Sequence, residues 1–424
     1  MTNHLEKQIK LKKINSNKHL QNSLSIIYYV GLWPDRVKYK YLYNLYTICS
    51  LIFLIGIIIV SEIIYIIINW GKIEIVMTGL TILMTNSTYA AKVIYIICRY
   101  KRIKNLVDIT NSEIFNRDND KYKHIISYYN WQGIFHHIAY QGFASISIFS
   151  YSCIPLQSVF SGKSKQLPIA GWYPYNVTST PIFEIAWLHQ VLVILINCIN
   201  NIAIDTLITG FIIIACCQLT ILSYNISSIH YTVESVESSI LIKKRITGNN
   251  NINIKNINIE KFPSKIYNKF YENLKHCVKH SIIIFDFTKQ IQDIFGIIIF
   301  FQLFINCIIV CLAAFNLSQI KNYITPEFFG SLLYICCMIY QIFIYCWHGN
   351  ELYLHSMKIC LSAYKNNWWS NNKNFNYALL IIMIRTQIPL IIIVGKIMEL
   401  SLQNFLLILR TSYSIFTLLK TFTT

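Results

Sequence analysis

Long apolar stretches alternate with polar loops along most of the chain. Several of these stretches reach about 20 residues or more, the length of α-helix that crosses a hydrocarbon core of about 30 Å. Residues 51–68 and 282–312, for example, are too long and too apolar to be buried strands. The pattern therefore predicts an all-α, polytopic membrane protein with seven transmembrane helices. The predicted spans are residues 41–69, 73–98, 131–155, 184–223, 281–315, 328–347 and 396–419.

One further apolar stretch, residues 377–395, is interrupted by Arg385 and Pro389. An arginine at the centre of a span costs about 2.5–3.5 kcal/mol on insertion scales, and a proline breaks the hydrogen-bond ladder of a helix. We therefore expect this stretch to lie inside the protein or at the inner membrane interface. An eighth span is the alternative.

Lysine and arginine are concentrated in every second connection between the predicted spans. The segment before span one, the loops after spans two and four, and the segment after span six are rich in both residues, whereas the alternate loops hold Lys72, Lys163, Lys165 and Lys321. Positive charge is retained on the cytoplasmic side of a membrane. The distribution predicts a cytoplasmic N-terminus and, after seven spans, an extracellular C-terminus, which is the reverse of a G-protein-coupled receptor.

The composition changes how the charge is interpreted. Charged residues make up 13% of the chain and hydrophobic residues 54%, whereas an ordinary soluble domain contains about 25% charged residues. The formal net charge of +18 suits anionic lipid headgroups. We expect the lipid bilayer as a partner and no nucleic acid, because no basic stripe carries interleaved exposed aromatic residues. The 13 cysteines lie mostly in apolar stretches and are expected to be small buried side chains.

The spans and loops divide the chain into four parts. Residues 1–40 form a predicted cytoplasmic N-terminal segment, and residues 41–223 form a bundle of spans one to four. Residues 224–280 form a cytoplasmic loop, in which residues 247–260 (TGNNNINIKNINIE) are a low-complexity insert that we expect to be disordered. Residues 281–424 contain spans five to seven.

Several short motifs stand out, and the most specific lies at the C-terminal end. Residues 412–419 read SYSIFTLL, preceded by Gly395-Lys396 and by residues 400–402 and 408–411. Further blocks are residues 345–352 (YCWHGNEL), residues 172–174 (WYP) followed by 188–190 (LHQ), and residues 31–34 (GLWP). Taken in this order, the blocks resemble the insect odorant receptor family. The usual last-span pattern of the sister family, the gustatory receptors, is missing.

The resemblance implies an odorant receptor subunit that is not an enzyme and has no cofactor. It implies a non-selective cation channel, gated by a small, volatile, apolar odorant, that assembles as a tetramer with co-receptor subunits. The last helices would line the pore, the cytoplasmic ends of spans five to seven would join the subunits, and spans one to four would hold the ligand. The expected location is the plasma membrane of olfactory sensory neuron dendrites, with multiple passes.

The last predicted span contains the candidate pore and gate residues. Leu418 and Phe422 are four residues apart and therefore share one face of a helix. A ring of such side chains from four subunits can close a pore by dewetting, and the resemblance implies a gate at these positions. Packing against neighbouring helices is the alternative. The gate candidates are Ser414, Thr417, Leu418 and Phe422.

The resemblance places an odorant pocket between spans two, three, four and six, in their outer halves. A cavity lined by aromatic side chains with a few polar groups suits a mostly apolar ligand, whose burial supplies most of its affinity. Plain core packing is the alternative for these residues, because residues at helical spacing more often belong to the core. The pocket candidates are Tyr89, Val93, Gly142, Ser145, Ile146, Phe149, Ile202, Thr206, Thr209, Tyr334 and Met338.

Charged residues inside spans are functional candidates because they are costly there. Asp286, Lys289 and Asp293 share a face of span five and are expected to form an interior ion-pair cluster, with a role in conduction as the alternative. Asp205 in span four and Lys92 in span two are candidates for a pair across the bundle, which the sequence leaves open.

Other classes of function are disfavoured by the motifs. The sequence has no phosphate-binding GxxxxGK, no HExxH and no GxSxG motif, and we expect no catalytic or metal site. His276 and His280, one helical turn apart, are expected to be ordinary histidines. A G-protein-coupled-type chemoreceptor and a gustatory-type receptor channel remain alternatives. A secondary transporter would show internal repeats, and none is evident.

Overall fold

The computed structural model describes residues 17–34, 38–117, 119–155, 167–229 apart from positions 170, 176 and 178, 264–365 and 373–423. The predicted disordered insert 247–260 lies outside the described residues. The described part of the chain is almost entirely helical. Its helices are α1 (Lys18–Tyr29), α2 (Lys40–Ile68), α3 (Ile73–Thr110), α4 (Lys123–Ser152), α5 (Ile182–Ser228), α6 (Ser264–Gln319), α7 (Pro326–Tyr364), α8 (Lys373–Thr386) and α9 (Leu402–Thr423).

The predicted spans correspond to seven of these helices. By length and apolar composition, six helices among the described residues can cross a membrane: α2, α3, α5, α6, α7 and α9. The third predicted span is α4, which has 30 residues and is therefore also long enough. It carries more serine and histidine than the others.

Most spanning helices continue beyond the predicted spans at one end of the bundle. The ring of Tyr122, just before α4, lies 6.0 Å from that of Tyr224 near the end of α5. Phe115, just after α3, lies 6.0 Å from His280 in α6. We call this end, where the Lys- and Arg-rich loops lie, the basic end, and the opposite end of the bundle the far end.

Helix α5 forms the centre of the fold. Every residue from 202 to 219 is buried on all sides of the helix, and α5 packs against α1, α4, α6 and α7. The outer helices instead expose large apolar side chains, as Ile67 in α2 and Ile138 in α4 do. Such a distribution fits a bundle surrounded by hydrocarbon, where an outer face gains nothing from being polar.

Helix α1 inserts between α4 and α5 where two glycines leave room for it. The His19 imidazole lies against Gly133 and Gly210, and a Cβ added at Gly133 would lie 2.8 Å from the His19 ring. His19 Nδ1 is 2.9 Å from Asn130 Oδ1, and its Nε2 is 3.2 Å from the Gly210 carbonyl oxygen. The N-terminal segment is therefore fixed to the middle of the bundle.

The last spanning helix begins later than predicted. Helix α9 starts at Leu402 rather than at residue 396, because Gly395 and Lys396 have φ of 60° and 61°. These left-handed conformations form the turn of a short hairpin, β1 (Ile393–Val394) paired with β2 (Met398–Glu399). An α-helix cannot continue through them.

The apolar stretch 377–395 does not form an eighth span. It contains the C-terminal part of α8, a helix of 14 residues, which is too short to cross a hydrocarbon core. The hairpin that follows is anchored to the spanning helices, since the Gly395 N–H donates to the Gly296 carbonyl oxygen at 3.2 Å. Leu400 packs directly on Gly349 in α7, where a Cβ would have no room.

Candidate functional site

A cavity of about 290 Å³ lies in the half of the bundle nearer the far end. Helices α3, α4, α5 and α7 wall it, and the C-terminal end of α6 and residues 167–169 complete it. The helices contribute their segments away from the basic end, including Thr85 of α3, Ser147 of α4 and Ser331 of α7. The position agrees with the outer half of the membrane in the predicted orientation.

Four tyrosines give the cavity its aromatic walls: Tyr89, Tyr140, Tyr151 and Tyr334. Each phenol oxygen has a hydrogen-bond partner in the bundle, which for Tyr140 is Asp205 below the cavity. Tyr89 Oη accepts from Asn200 Nδ2 at 2.7 Å, Tyr151 Oη is 2.9 Å from Ser331 Oγ, and Tyr334 Oη bonds to Thr85 Oγ1. These bonds fix the ring orientations, so the cavity has a defined shape.

Four of the predicted pocket residues line the cavity: Tyr89, Ile202, Tyr334 and Met338. Val93, one turn along α3 from Tyr89, is almost fully buried against the core instead of lining the cavity. Both residues lie on the same face of α3, but Val93 is deeper and nearer the basic end. The predicted residues of α3 and α7 thus lie on the faces of these helices that border the cavity or the core beneath it.

The face of α4 that borders the cavity differs from the predicted one. The predicted residues were Gly142, Ser145, Ile146 and Phe149, of which Ile146 is 55% exposed and Phe149 70% exposed. The residues of α4 that line the cavity are Tyr140, Ala144, Ser147, Ile148, Tyr151 and Ser152. Lipid and protein interior are both apolar, so apolar periodicity did not separate the two faces.

Thr206 and Thr209 lie deeper than the cavity. Thr206 Oγ1 is 3.0 Å from Ser23 Oγ of α1 and 3.0 Å from His137 Nδ1 of α4. Thr209 Oγ1 donates to the Asp205 carbonyl oxygen within α5 at 3.1 Å. Thr206 therefore joins α1 to the bundle, and neither threonine lines the cavity.

A buried ion pair lies directly below the cavity floor. Lys92 Nζ of α3 is 2.6 Å from Asp205 Oδ1 of α5, with side-chain exposures of 2% and 0%. The candidate pair that the sequence left open is thus confirmed. Lys92 Nζ also donates to Asn201 Oδ1 at 2.9 Å, and Asn201 lines the cavity.

The Asp205 carboxylate also accepts hydrogen bonds from side chains of two more helices, α7 and α4. Tyr345 Oη donates to Oδ1 at 2.8 Å, Gln341 Nε2 donates to Oδ2, and Tyr140 Oη lies 3.4 Å from Oδ2. Paired and hydrogen-bonded in this way, a charge can be kept inside a bundle. The carboxylate links α3, α4, α5 and α7 at one point.

The polar network continues from Gln341 into α6. Asn306 Nδ2 donates to Gln341 Oε1 at 2.9 Å, and Gln302 Nε2 donates to Asn306 Oδ1 at 2.8 Å. The next residue, Cys307, contacts α9, because Ser412 Oγ donates to the Cys307 carbonyl oxygen at 3.1 Å. Polar contacts therefore lead from the cavity floor to the last helix.

The predicted interior cluster on span five is wrong for this chain. Asp286, Lys289 and Asp293 do share one face of α6, but all three side chains are exposed on the outside of the bundle. Bulky apolar residues, among them Phe287 and Phe295, occupy the buried face of the helix. Burial of those larger apolar side chains turns the charged face outward.

Helix α9 packs on the bundle along one narrow face only. Ile408 and Ser412 point inward, while Ser414 and Thr417 are exposed and Leu418 is 56% exposed. The hydroxyls of Ser414 and Thr417 donate to carbonyl oxygens of their own helix. The side chain of Phe422 lies outside the described residues. Three of the four gate candidates are thus on the uncovered surface of α9.

His276 and His280 have an ordinary structural environment. His280 Nε2 lies 3.0 Å from Gln218 Oε1 of α5. Within the described ranges, no three His, Cys, Asp or Glu side chains are grouped as a metal ion requires. The pair belongs to the packing of α5 against α6 near the basic end.

The comparison with known families decides what the bundle is. The family model described as 7tm Odorant receptor matches residues 72–413, which include all the residues that line the cavity and the first half of α9. The chain belongs to the insect odorant receptor family. It is a multi-pass membrane protein and not an enzyme.

Individual relatives agree with this assignment. Odorant receptor Or1 of Anopheles gambiae is 23% identical to this receptor over 285 residues, which are 65% of this chain and 64% of the relative. Odorant receptor 13a of Drosophila melanogaster is 23% identical over 296 residues, which are 64% and 63% of the two chains. The receptor thus matches a little under two thirds of the length of these relatives.

Solved structures show the same fold. The olfactory receptor OR5 from Machilis hrabei in complex with eugenol aligns with a TM-score of 0.76 at 16% identity, covering 96% of this receptor and 99% of that chain. A second OR5 structure aligns with a TM-score of 0.74. The receptor therefore has the fold of seven transmembrane helices, with α4 as the third.

Sequence reasoning missed several polar residues of the site. Asn197 and Asn201 are spaced four residues apart on the face of α5 that also carries the predicted Asp205, and Gln341 and Tyr345 have the same spacing on α7. Polar residues repeated at helical spacing within an apolar span are a signal for an interior polar face. Applied to span four, that rule predicts both the cavity wall and the buried pair.

Proposed function

We propose that this receptor is a subunit of an odorant-gated, non-selective cation channel, assembled as a tetramer with co-receptor subunits in the plasma membrane. The cavity between α3, α4, α5 and α7 carries the proposal. It has a size and lining suited to a small volatile molecule: aromatic and aliphatic walls with a few polar groups. OR5, which has the same fold, is described in complex with eugenol.

Burial supplies most of the binding free energy of such a ligand, at roughly 25 cal/mol per Å² of apolar surface. Gating requires more, because a ligand shifts an equilibrium only through different affinities for the two states. The cavity lies on the helices α5 and α7 that hold the Asp205 network, and that network reaches Cys307 beside α9. A ligand that changes the spacing of α5 and α7 would therefore act on the last helix.

The surface of the single chain supports an assembly. Most of α9 is uncovered, and its uncovered face carries Thr411, Ser414 and Thr417. Asp286, Lys289 and Asp293 are exposed on α6, and charged side chains facing lipid are costly. We place these charged residues against other subunits or water, and the hydroxyl-bearing face of α9 on a central pore. The cytoplasmic N-terminus and extracellular C-terminus belong to this proposal.

The experiment is to co-express the receptor with a co-receptor subunit and record current under voltage clamp during a broad odorant panel. At least one odorant should evoke a cation current. Ala144→Phe should then abolish that current, or raise at least tenfold the odorant concentration that gives a half-maximal current. Ala144 is buried and lines the cavity, so the larger side chain fills space that the odorant would occupy. Surface expression should remain near that of the wild type.

Gly142→Phe is the matched control on the same helix, since a Cβ at Gly142 meets no atom within 4 Å. It should leave the response unchanged. Equal responses of the wild type and Ala144→Phe would show that the cavity is not the odorant site. The absence of any odorant-evoked current, with the protein on the surface, would contradict the channel function itself.

A further inference from the structure

The ion pair fixes how the Asn201 side chain is oriented at the cavity floor. Lys92 Nζ is only a donor, so the Asn201 atom 2.9 Å from it must be the acceptor Oδ1. The amide nitrogen Nδ2 is then on the other side of the side chain, which lines the cavity. Among the described residues, Nδ2 contacts no acceptor. Asn201 therefore offers the cavity a hydrogen-bond donor.

The charge of Lys92 strengthens this donor. A cation bonded to the oxygen of an amide withdraws electron density from it, and hydrogen bonds in a low-dielectric interior polarise one another in this way. The Asn201 N–H is thus a better donor than an isolated amide. It favours a ligand oxygen that can accept.

Asn197, one turn earlier on α5, offers the opposite group. Its Nδ2 donates to the Leu54 carbonyl oxygen at 2.7 Å, within the π-helical turn Ile52–Gly56 of α2. The bond to a carbonyl fixes this amide as well, so Oδ1 faces away from Leu54. Asn197 lines the cavity and is only 6% exposed, and its buried Oδ1 has no hydrogen-bond partner among the described residues.

Asn197 and Asn201 lie one turn apart on the side of α5 that lines the cavity. Residues four apart on a helix have Cβ atoms about 5–6 Å from each other. An oxygen that makes two hydrogen bonds of ordinary length, about 2.8–3.0 Å each, bridges such a gap. A hydroxyl group is the simplest chemical group that both accepts from Asn201 Nδ2 and donates to Asn197 Oδ1.

We propose that Asn197 and Asn201 make the cavity selective for small oxygenated odorants, and above all for alcohols, over hydrocarbons of the same shape. This inference rests on the proposed function, namely that the cavity is the odorant site. The hydroxyl lies at the floor of the cavity, against α5. The carbon skeleton lies among Tyr89, Tyr151 and Tyr334.

The size of the cavity guides the choice of probes. A cavity of about 150 Å³ in another protein holds benzene, so one of about 290 Å³ holds an aromatic ring with a short chain. Three probes of nearly equal size differ in polar groups only. They are 2-phenylethanol, which donates and accepts, phenylacetaldehyde, which only accepts, and propylbenzene, which does neither.

Binding is measured by equilibrium dialysis of the full chain in lipid nanodiscs, with free ligand quantified by gas chromatography and empty nanodiscs as the blank. Asn201→Leu should lower the affinity for 2-phenylethanol and for phenylacetaldehyde by about five- to tenfold, the effect of one lost hydrogen bond. Propylbenzene should bind unchanged or more tightly. Ile194→Val, an apolar change in the same wall, should alter all three affinities alike.

Asn201→Asp is the second variant, because it keeps an acceptor for Lys92 and replaces the N–H donor with an oxygen. Phenylacetaldehyde, which cannot donate, should lose more affinity than 2-phenylethanol, which can. Equal effects on the three probes in both Asn201 variants would overturn the selectivity. If the probes bind and Ala144→Phe blocks them without any such preference, the cavity remains the odorant site and this inference fails. If no probe binds in the cavity, both proposals fail.

Discussion

Lys92 and Asp205 form an ion pair, Nζ to Oδ1 at 2.6 Å, in the interior of the transmembrane bundle. Neither charge is exposed to the surface, and the carboxylate also accepts hydrogen bonds from Gln341 and Tyr345 of α7. Through these contacts the pair connects α3, α5 and α7. It holds these helices together. Because it lies directly under the cavity floor, its charges also act on a ligand bound in the cavity.

Removing one partner of this pair should strongly destabilise the receptor. Asp205→Asn leaves the Lys92 ammonium buried without a counter-charge, which costs about 3–5 kcal/mol. We expect a markedly lower melting temperature in detergent, measured by the loss of the monodisperse peak in size-exclusion chromatography after heating. Asp120→Asn, at an exposed carboxylate in the loop before α4, should leave the melting temperature unchanged.

The double variant Lys92→Met with Asp205→Leu separates charge from packing. Replacing both ions with apolar side chains removes the unpaired charge, so much of the lost stability should return. A double variant less stable than Asp205→Asn would contradict this explanation.

The docking of α1 gives a second prediction, on two glycines of α4. Gly133→Ala places a Cβ 2.8 Å from the His19 ring, and overpacking of this kind costs about 1–3 kcal/mol. Gly142→Ala meets no atom within 4 Å and gains helix propensity of up to about 1 kcal/mol. In the same thermal assay, the first variant should melt lower than the wild type and the second should not.

His19 should also make the stability of the receptor pH-dependent. Burial lowers the pKa of His19 below its ordinary value of 6.5, and hydrogen bonds to Asn130 and Gly210 offset part of that effect. Above pH 6.5 both folded and unfolded states are neutral at this residue. As the pH falls below 6.5, only the unfolded state takes up the proton, so the free energy of unfolding decreases by up to about 1.4 kcal/mol per pH unit.

The measurement compares the wild type and His19→Gln between pH 7.5 and 5.5. The wild type should lose more stability over this interval than the variant does. Other histidines contribute to both proteins and cancel in the difference. Parallel pH profiles would show that His19 is not kept neutral by burial.

Helix existence and order followed from the sequence, because hydrocarbon thickness sets a length that apolar stretches such as 184–223 clearly reach. The choice of helix face was harder. Ile146 and Phe149 of α4 were expected in the pocket but are exposed, while Tyr140 and Tyr151 line it. In a membrane, both sides of a helix are apolar, so hydrophobicity alone does not indicate which side is inside.

Polar residues carried the information that apolar periodicity lacked. Asp205 and Lys92 were recognisable as candidates, since a charge within a span needs a partner. Asp286 and Lys289 met the same rule but are exposed on α6. A single-chain pattern does not distinguish burial within one subunit from burial between subunits. The hairpin at Gly395 and Lys396 was missed because the pattern of apolar residues does not indicate where the backbone takes a left-handed conformation.

The most direct test of the channel function is the accessibility of Leu418 to water during gating. The receptor carrying Leu418→Cys is expressed with a co-receptor, and a cationic, membrane-impermeant thiol reagent is applied during odorant-evoked current. Ile138→Cys is the control, because Ile138 is also exposed but lies on the outer face of α4, away from α9. The account predicts an irreversible loss of current in Leu418→Cys, and none in Ile138→Cys or the wild type. Current that the reagent leaves intact in Leu418→Cys, or reduces equally in both variants, would contradict it.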